Sequence, residues 1–427
     1  MESRITLPLN FLSRMKDMLG SEEFDAFLKS YEDPPVRGIR MNPLKPANSP
    51  YNSQVPWCKN GFYYSPDERP AKTIAYHAGL FYIQEPSAMC PVEILGVEAG
   101  DKVLDICAAP GGKSVQIAGH LMGRGLLISN DNSASRNRAL VKNLERAGVT
   151  NAVVLTEQPK NLAKRFPEFF DKILIDVPCS GEGMFRRDPD VIKSYERTPP
   201  ETYTALQTEI LENAAKMLKP SGQMVYSTCT FNTLENENII ANFVQSHNDF
   251  SQIQTTRIFP HLSQGEGHFA CLLKKIKSFE GGSGETFLQK SFPRELIDFQ
   301  NTFLCENAFP NSHVFHEKNL FLQPLPLNLN GLRVARSGWH IGEIDKGRFT
   351  PSQALAMGIR KEQARFSVEL SKDDANRYLR GESLYFDGEF DNKKPWVLVC
   401  CEGHPLGWAR LVSKRLKNNL PPSWTAK

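Results

Sequence analysis

The stretch that decides the fold is VLDICAAPGGKS, residues 103–114. It begins as an apolar strand, continues through a turn of small residues and ends in the first turn of a helix. In an open α/β sheet, ligands bind beyond the carboxyl end of such a strand. The stretch therefore predicts the first strand–turn–helix unit of a ligand-binding α/β domain.

Outward from this unit, strand and helix patterns alternate up to about residue 230. The later apolar strands are GLLISND (125–131), NAVVLTE (151–157), KILIDV (172–177) and GQMVYSTCT (222–230). A helical pattern stopped at Pro220 precedes the last of them. Alternation with short connections and near-continuous apolar strands indicates a parallel sheet covered on both faces. We predict a Rossmann-like, doubly wound domain over residues 91–278.

The flanking regions differ from this core. Residues 1–90 contain an amphipathic helix before a Pro-Pro turn and a short strand in GIRMNP, which predicts a small α+β region. EGGSGET (280–286) has the composition of a linker. Beyond it the alternation stops and short strand-like runs follow, so residues 286–427 are expected to form a smaller, β-rich domain.

Composition excludes several classes of protein. The 427 residues include 51 basic and 48 acidic ones, and a net charge of +3 permits a polyanionic partner without requiring one. The chain has no apolar run of eighteen residues and no secretory leader, which argues against a membrane protein. Nine cysteines show neither a CxxC pair nor zinc spacing. We expect reduced thiols, no metal and a cytoplasmic protein.

The small-residue turn after residue 106 has three interpretations, and two of them are nucleotide-binding sites. A dinucleotide fingerprint would need G-x-G-x-x-G, which is absent. A phosphate-binding P-loop would need glycine where Cys107 stands, and Pro110 removes a backbone donor where phosphates need several. An NTPase nevertheless remains an alternative, because GKS is present and ILIDV imitates a magnesium-binding acidic strand.

The third interpretation is a site for S-adenosylmethionine. This cofactor has no phosphates, so a full nest of backbone amides is unnecessary. Its amino acid part can approach the small residues Ala108, Ala109, Gly111 and Gly112. Its ribose diol needs an acidic acceptor at the end of the next strand, where the sequence has Asp131. We therefore favour S-adenosylmethionine.

Two cysteines follow the ends of apolar strands. Cys179 lies after ILIDVP and Cys229 lies in YSTCT. Addition of a thiolate to carbon 6 of cytosine activates carbon 5 for methylation, which is covalent catalysis. An acid near ring nitrogen 3 relieves the charge that develops, and Asp176 precedes Cys179 by three residues. DVPC also places a thiol where amino-group methyltransferases of the [DN]-P-P-[FY] type have an aromatic ring, so ring-carbon chemistry fits better.

Five blocks of the chain resemble, in order and spacing, the Nop/Sun family of RNA 5-methylcytosine methyltransferases, and most closely its bacterial RsmF branch. They are YIQEPSAM (82–89), CAAPGGKS (107–114), NDNSASR (130–136), DKILIDVPCSGEGMFRRDP (171–189) and YSTCTFNTLENE (226–237). The resemblance implies that Cys229 is the nucleophile and that Cys179 assists breakdown of the covalent adduct. The residues themselves leave that order open, because DNA cytosine methylases use a Pro-Cys nucleophile.

The same resemblance implies a set of cofactor contacts. They are Cys107, Ala108, Ala109, Pro110, Gly111, Gly112, Lys113, Asp131 and Asp176, with Glu157 or Gln158 after the third strand. LTEQPKNL (155–162) departs there from the common Asn-Asp form, and DVPC replaces Asp-Ala-Pro-Cys.

The C-terminal segments GLRVARSGWHIGEIDKGRFTPSQALAM (331–357) and GHPLGWARLVSKRLKN (403–418) resemble the PUA-like extension of the RsmF branch. The resemblance implies an RNA-binding domain. Candidate phosphate contacts are Arg333, Arg336, Lys346, Arg348, Lys414, Arg415 and Lys417.

We therefore expect a monomeric RNA cytosine-5 methyltransferase that acts on 16S rRNA or the 30S subunit, with an RNA-binding region at residues 1–90. The alternatives are a tRNA methyltransferase of the same chemistry and a catalytically inactive RNA-binding or ribosome-assembly protein. Intact Cys229, Cys179 and Asp176 argue against the inactive alternative.

Overall fold

The computed structural model describes residues 5–276, 292–305, 308–309, 313–316, 318–388 and 395–426. The predicted linker at 280–286 lies outside these ranges. Among the described residues, no helix combines the length and hydrophobicity needed to cross a bilayer.

The N-terminal region is a kinked helix beside a small antiparallel sheet. Its elements are α1 (Leu9–Lys29), β1 (Gly38–Met41), β2 (Gly61–Tyr63), α2 (Ile74–His77) and β3 (Phe81–Ile83), with strand order β2–β1–β3. The kink in α1 lies at Gly20, whose φ of 74° is left-handed and favours glycine. The aromatic face of α1 packs on the central domain, with the ring centroids of Phe11 and Phe185 5.1 Å apart.

The central domain contains the alternating elements expected from the sequence. Its strands are β4 (Lys102–Asp105), β5 (Leu126–Asn130), β6 (Ala152–Leu155), β7 (Phe170–Asp176), β8 (Leu218–Thr228), β9 (Phe250–Ile258) and β10 (His268–Lys275). Its helices are α3 (Cys90–Leu95), α4 (Gly112–Leu121), α5 (Ala134–Arg146), α6 (Pro159–Arg165), α7 (Pro189–Arg197), α8 (Glu201–Met217) and α9 (Glu237–Ser246). Helix α8 ends three residues before Pro220, which lies inside β8.

These strands form one eight-stranded sheet in the order β13–β6–β5–β4–β7–β8–β10–β9, where β13 is Val334–Arg336. The expectation of a parallel sheet is correct for β6 to β8 and wrong at both edges. Strands β10 and β9 run antiparallel beyond β8, and β13 pairs antiparallel with β6. The edge strand β9 is exposed along its middle. An antiparallel edge strand can face solvent in this way, so no helix has to cover it.

The core lies on both faces of this sheet. Alternate residues of β4 face opposite ways, so that Val103 packs with α4 and α5 while Leu104 packs with α6 and α8. Both side chains are fully buried. Burial of a leucine or valine side chain contributes roughly 1.5–3 kcal/mol. The two cores hold the carboxyl ends of the parallel strands at one edge.

The C-terminal half forms two further sheets. The first unit has α10 (Arg294–Phe303), β11 (His313–His316), β12 (Asn319–Gln323), β14 (Trp339–Asp345), β15 (Arg348–Pro351) and α11 (Gln353–Gly358), with strand order β11–β12–β14–β15. The second has β16 (Ser367–Glu369), α12 (Lys372–Leu379), β17 (Leu384–Tyr385), β18 (Trp396–Cys401), β19 (His404–Val412) and β20 (Arg415–Asn418), with strand order β16–β18–β19–β20–β17.

Candidate active site

The two cysteines meet at the carboxyl ends of neighbouring parallel strands. Asp176, the last residue of β7, is in register with Ser227 of β8. Cys179 lies three residues beyond Asp176, and Cys229 directly follows the end of β8. Their Sγ atoms are 3.4 Å apart. Adjacent parallel strands thus bring together two thiols that are fifty residues apart in the chain.

Backbone and hydroxyl contacts hold the two cysteine loops against each other. The Gly183 amide donates to the Cys229 carbonyl at 2.9 Å, and the hydroxyls of Ser180 and Thr230 are 2.8 Å apart. A Cβ atom on Gly183 would lie 3.0 Å from the Cys229 carbonyl oxygen and 2.7 Å from that of Gly267, which precedes β10. Glycine therefore fits this position, where the Cys179 loop packs against both segments.

Two buried carboxylates also bridge the loops. Glu235, which follows the Cys229 loop, accepts a hydrogen bond from the Ser180 amide at 2.9 Å. Glu182, in the Cys179 loop, accepts one from the Phe231 amide at 3.2 Å and forms an ion pair with Arg14 of α1. Each loop therefore contributes one carboxylate that binds the backbone of the other loop.

Asp176 ends β7 three residues before Cys179, and charged and polar neighbours hold its carboxylate. Its carboxylate accepts hydrogen bonds from Lys113 Nζ at 2.7 Å and from Ser227 Oγ at 2.8 Å, and His268 Nε2 lies 3.8 Å away. Burial opposes its ionisation, but the Lys113 ammonium and His268 outweigh burial and hold the pKa of Asp176 well below its usual range. The Lys113–Asp176 contact is therefore an ion pair.

The Cys179 thiol is held in its protonated form. The hydrogen bond with Cys229 is the largest cause, followed by burial and the charges of Cys229 and Glu235, and together they raise the pKa of Cys179 well above its ordinary value. A protonated thiol can donate a hydrogen bond to a neighbouring sulfur.

A cleft of about 260 Å³ opens beside Asp176 at the carboxyl end of β4. Seven predicted contacts line it, namely Cys107, Ala108, Ala109, Pro110, Gly112, Lys113 and Asp176. Gly111 has a left-handed φ of 111° where α4 begins. A Cβ atom on Gly112 would lie 3.1 Å from the Tyr82 ring, so a larger residue would crowd the wall of the cleft.

Four predicted contacts lie outside the lining of this cleft, namely Gly111, Asp131, Glu157 and Gln158. Asp131 is 2% exposed and pairs with Arg136 at 3.0 Å. Arg136 also donates to the Ala109 carbonyl, which places the pair behind the glycine-rich turn. The Glu157 carboxylate accepts a hydrogen bond from the Arg333 amide at 2.7 Å, and Gln158 is an exposed residue that precedes α6.

The sequence interpretation missed three residues of the site: Ser227, Glu235 and His268. Ser227 and Glu235 lie inside the block that carries Cys229, but their partners are fixed only by the loop packing. His268 is 4% exposed, and neither ring nitrogen has a hydrogen-bond partner among the described residues. It begins β10, an antiparallel strand that the sequence alternation did not predict.

One candidate phosphate contact is wrong. Arg336 is 2% exposed, because β13 inserts it beneath the sheet edge, where it donates to the carbonyl oxygens of Gly338 and Val149. The other six candidates are exposed.

Comparison with known proteins identifies the family. The chain is 31% identical to ribosomal RNA small subunit methyltransferase F of Erwinia tasmaniensis, over 98% of this chain and 97% of the relative. The protein of the same name from Vibrio vulnificus is also 31% identical, over 99% and 98% of the two chains. The chain belongs to the RsmF family.

Four family models of the RsmF group match successive parts of the chain. Their descriptions are the RsmF N-terminal domain (7–86), 16S rRNA methyltransferase RsmB/F (92–274), the first C-terminal domain of RsmF (298–359) and the RsmF PUA domain (365–426). The expected Rossmann-like methyltransferase with an N-terminal region and a C-terminal PUA domain is confirmed. The last two models correspond to the two C-terminal sheets.

Solved structures share the fold of about two thirds of this RsmF-family chain. A methyltransferase homolog from Pyrococcus horikoshii is 28% identical, covers 64% of this chain and 97% of its own, and has a TM-score of 0.56. NSun6 from Pyrococcus horikoshii with SFG has a TM-score of 0.54 at 21% identity, covering 64% and 99% of the two chains, and shows the fold alone.

Proposed function

We propose that this RsmF-family methyltransferase transfers a methyl group from S-adenosylmethionine to carbon 5 of a cytosine in 16S rRNA, through a covalent bond to Cys229. The observation that carries the proposal is the pair of sulfurs 3.4 Å apart beyond the ends of β7 and β8, the first of which ends at the Asp176 that pairs with Lys113. Nucleophilic addition and adduct breakdown need two groups at one pocket edge, and two thiols meet there.

The cleft at residues 107–113 fits the proposed cofactor better than it fits a nucleotide triphosphate. The wall formed by the turn consists of small residues and Lys113, with Pro110 lacking an amide donor. The opposite wall is formed by larger and charged residues, among them Tyr82, Glu85 and Arg187. Lys113, which a P-loop would direct to phosphates, is occupied by Asp176. S-adenosylmethionine would supply an electrophilic methyl group beside the thiols. Asp131 and Arg136 would support the turn that holds it.

The residues of the site divide the work of the reaction. The sulfur of Cys229 forms a bond to carbon 6, and its proton passes by way of Asp176 to ring nitrogen 3. Asp176 is ionised before the substrate binds, so it serves as an acceptor and then a donor of that proton. Lys113 holds the carboxylate in place during both transfers.

Breakdown of the adduct uses the second thiol. After methyl transfer, carbon 5 gives its proton to a water molecule, the carbon 5–carbon 6 double bond re-forms and the electron pair of the sulfur–carbon bond returns to Cys229. Ring nitrogen 3 then returns its proton to that sulfur by way of Asp176. The Cys179 thiol is protonated and 3.4 Å from that sulfur, so it can donate a hydrogen bond to the departing thiolate. Both thiols are then ready for another turnover.

The choice of 16S rRNA over tRNA rests on the extent of the match. Relatives named ribosomal RNA small subunit methyltransferase F align over nearly the whole chain, including both C-terminal units. An inactive RNA-binding protein would not require the ordered pair of thiols.

The deciding experiment is methylation of 30S subunits and protein-free 16S rRNA from a strain lacking this gene. The full-length protein should incorporate labelled methyl groups, and bisulfite sequencing should locate one new 5-methylcytosine. Cys229→Ala is the matched control. Label on tRNA alone would support the tRNA alternative, and label on an exocyclic amino group would overturn the proposed chemistry.

A further inference from the structure

The two carboxylates that bridge the cysteine loops differ in charge balance. Glu182 is compensated by Arg14, with which it forms a buried ion pair. The partners of Glu235 in the described chain are neutral: the amide and hydroxyl of Ser180, and the side-chain amide of Gln207 at 3.0 Å. All three donate to Glu235, which is the arrangement of an ionised carboxylate.

Glu235 is also rigidly placed. Its side chain is fully buried, and its own backbone carbonyl accepts a hydrogen bond from the Tyr226 hydroxyl at 2.6 Å. Because Ser180 directly follows Cys179 in the chain, the contact from Glu235 to Ser180 fixes the position of the Cys179 backbone relative to the Cys229 loop. A change of rotamer would break the hydrogen bonds of the carboxylate at a buried site, where leaving them unmade is costly.

We propose that Glu235 is a positioning residue that makes the two cysteines unequal: it fixes the Cys179 loop through Ser180 and holds a buried carboxylate against the residue that directly follows Cys179. This inference rests on the proposed function. It makes Glu235 the residue that distinguishes the nucleophile, Cys229, from the thiol that assists its departure, Cys179.

Electrostatics supports the assignment. A second negative charge is disfavoured near a buried carboxylate. The ionisable groups that act on or are influenced by Cys179 are Cys229, Glu235, Tyr203 of α8 and Tyr226 of β8. Burial raises the pKa of both tyrosines, so they stay neutral. Burial also raises the pKa of Glu235, whereas its hydrogen bonds from Ser180 and Gln207 and the charge of Arg14 only partly oppose that rise.

The test measures thiol titration in the full-length protein, with neither RNA nor cofactor. Iodoacetamide labelling over a range of pH, followed by peptide mass spectrometry, gives separate alkylation rates for Cys179 and Cys229. Glu235→Gln keeps an acceptor for the Ser180 amide and removes the charge. We expect Cys179 to be alkylated about tenfold faster at pH 8, which corresponds to a fall of one pKa unit.

Ser180→Ala is the matched control, because it removes one hydrogen bond to Glu235 and keeps the charge. Its Cys179 rate should stay within about twofold of the native rate, well inside one pKa unit. An unchanged Cys179 rate in Glu235→Gln would overturn the proposal, as would an equal acceleration in Ser180→Ala. Should Glu235→Gln fail to fold, Glu235→Asp carries the test, because withdrawing the carboxylate by one methylene must still accelerate Cys179.

The outcome is separable from that of the proposed function. Faster labelling of Cys179 in a protein that forms no 5-methylcytosine would support the role of Glu235 and refute the cytosine chemistry. Unchanged labelling in a protein that methylates carbon 5 would do the reverse.

Discussion

The loop after β7 and the loop after β8 both place a cysteine at the same edge of the sheet, but the two loops hold their thiols differently. Cys229 follows its strand directly, and the Gly183 amide fixes its carbonyl. Cys179 is three residues removed from its strand and lies next to Ser180, which Glu235 binds. The ends of β7 and β8 bring the two thiols together, whereas the hydrogen-bond partners of each loop give the two thiols different environments.

The largest effect should come from the thiol that directly follows its strand. Cys229→Ala removes the proposed nucleophile, so methyl transfer should fall below about one thousandth of the native rate, as for other nucleophile deletions. No covalent RNA adduct should form. Filter-bound methyl label and a denaturing gel measure both. A residual rate near the native one would show that the two loops do not differ in the way proposed.

Cys179→Ala should fail at a later step. Attack and methylation should proceed, but elimination should stall, so a stable protein–RNA conjugate should appear as a shifted band on a denaturing gel without any modified base analogue. Multiple turnover should be lost while about one methyl group per enzyme is still transferred. If Cys229→Ala trapped RNA and Cys179→Ala were inert, the roles of the two loops would be exchanged.

Lys113→Met tests the ion pair between Lys113 and Asp176, the last residue of β7. In the native protein the pKa of Asp176 lies below its unfolded value of about 3.9, so ionisation stabilises the fold above that pH and this contribution is lost as the pH falls through the folded pKa. Without Lys113, burial would favour protonated Asp176, and the variant should become more stable as the pH falls from 7. The loss in unfolding free energy should be roughly 3 kcal/mol at pH 7, at the lower end for a broken buried ion pair because the Asp176 side chain is 28% exposed.

Urea unfolding at pH 7.5, 6 and 5 measures this difference, which should shrink toward acid pH. Asp176→Asn introduced into both backgrounds is the control, because it should abolish the pH dependence of the difference. A difference that is constant with pH would show that Lys113 and Asp176 are not an ion pair.

A smaller effect, on cofactor affinity alone, should come from a change behind the glycine-rich turn. Asp131→Ala removes a buried carboxylate behind the turn, so affinity for S-adenosylmethionine should fall about tenfold by calorimetry, as for one hydrogen bond to a charged group. The alkylation rates of both cysteines should not change. Glu157→Gln, which can still accept from the Arg333 amide, should bind cofactor normally. Equal losses in both variants would place Glu157 at the cofactor.

The smallest effect is expected far from both loops. Replacing Lys414, Arg415 and Lys417 with glutamate should weaken RNA binding and reduce the slope of log affinity against log salt by roughly 0.7–0.9 per lost phosphate contact. Filter binding at several salt concentrations measures the slope, with exposed Lys372 replaced as a control. An unchanged slope would remove this strand and turn from RNA binding.

Several elements could be predicted from local patterns. Apolar runs and small-residue turns located β4, β5, β6, β7 and β8 to within a few residues, because strand and helix periodicities are properties of neighbouring residues. The antiparallel strands β9 and β10 were missed, because the mixed polar pattern of β9 does not distinguish an edge strand from a loop. His268 was missed with them.

What the sequence by itself determined about this protein is the order of its elements, the composition of the cofactor turn and the location of two thiols after strand ends. Only the tertiary structure decided that β13 completes the sheet from beyond the predicted linker, which buries Arg336 and engages Glu157. It alone also placed Glu235 on Ser180, 55 residues away in the chain. The physical reason is that periodicity acts between neighbours, whereas the partner of a buried charge is chosen by packing between distant segments.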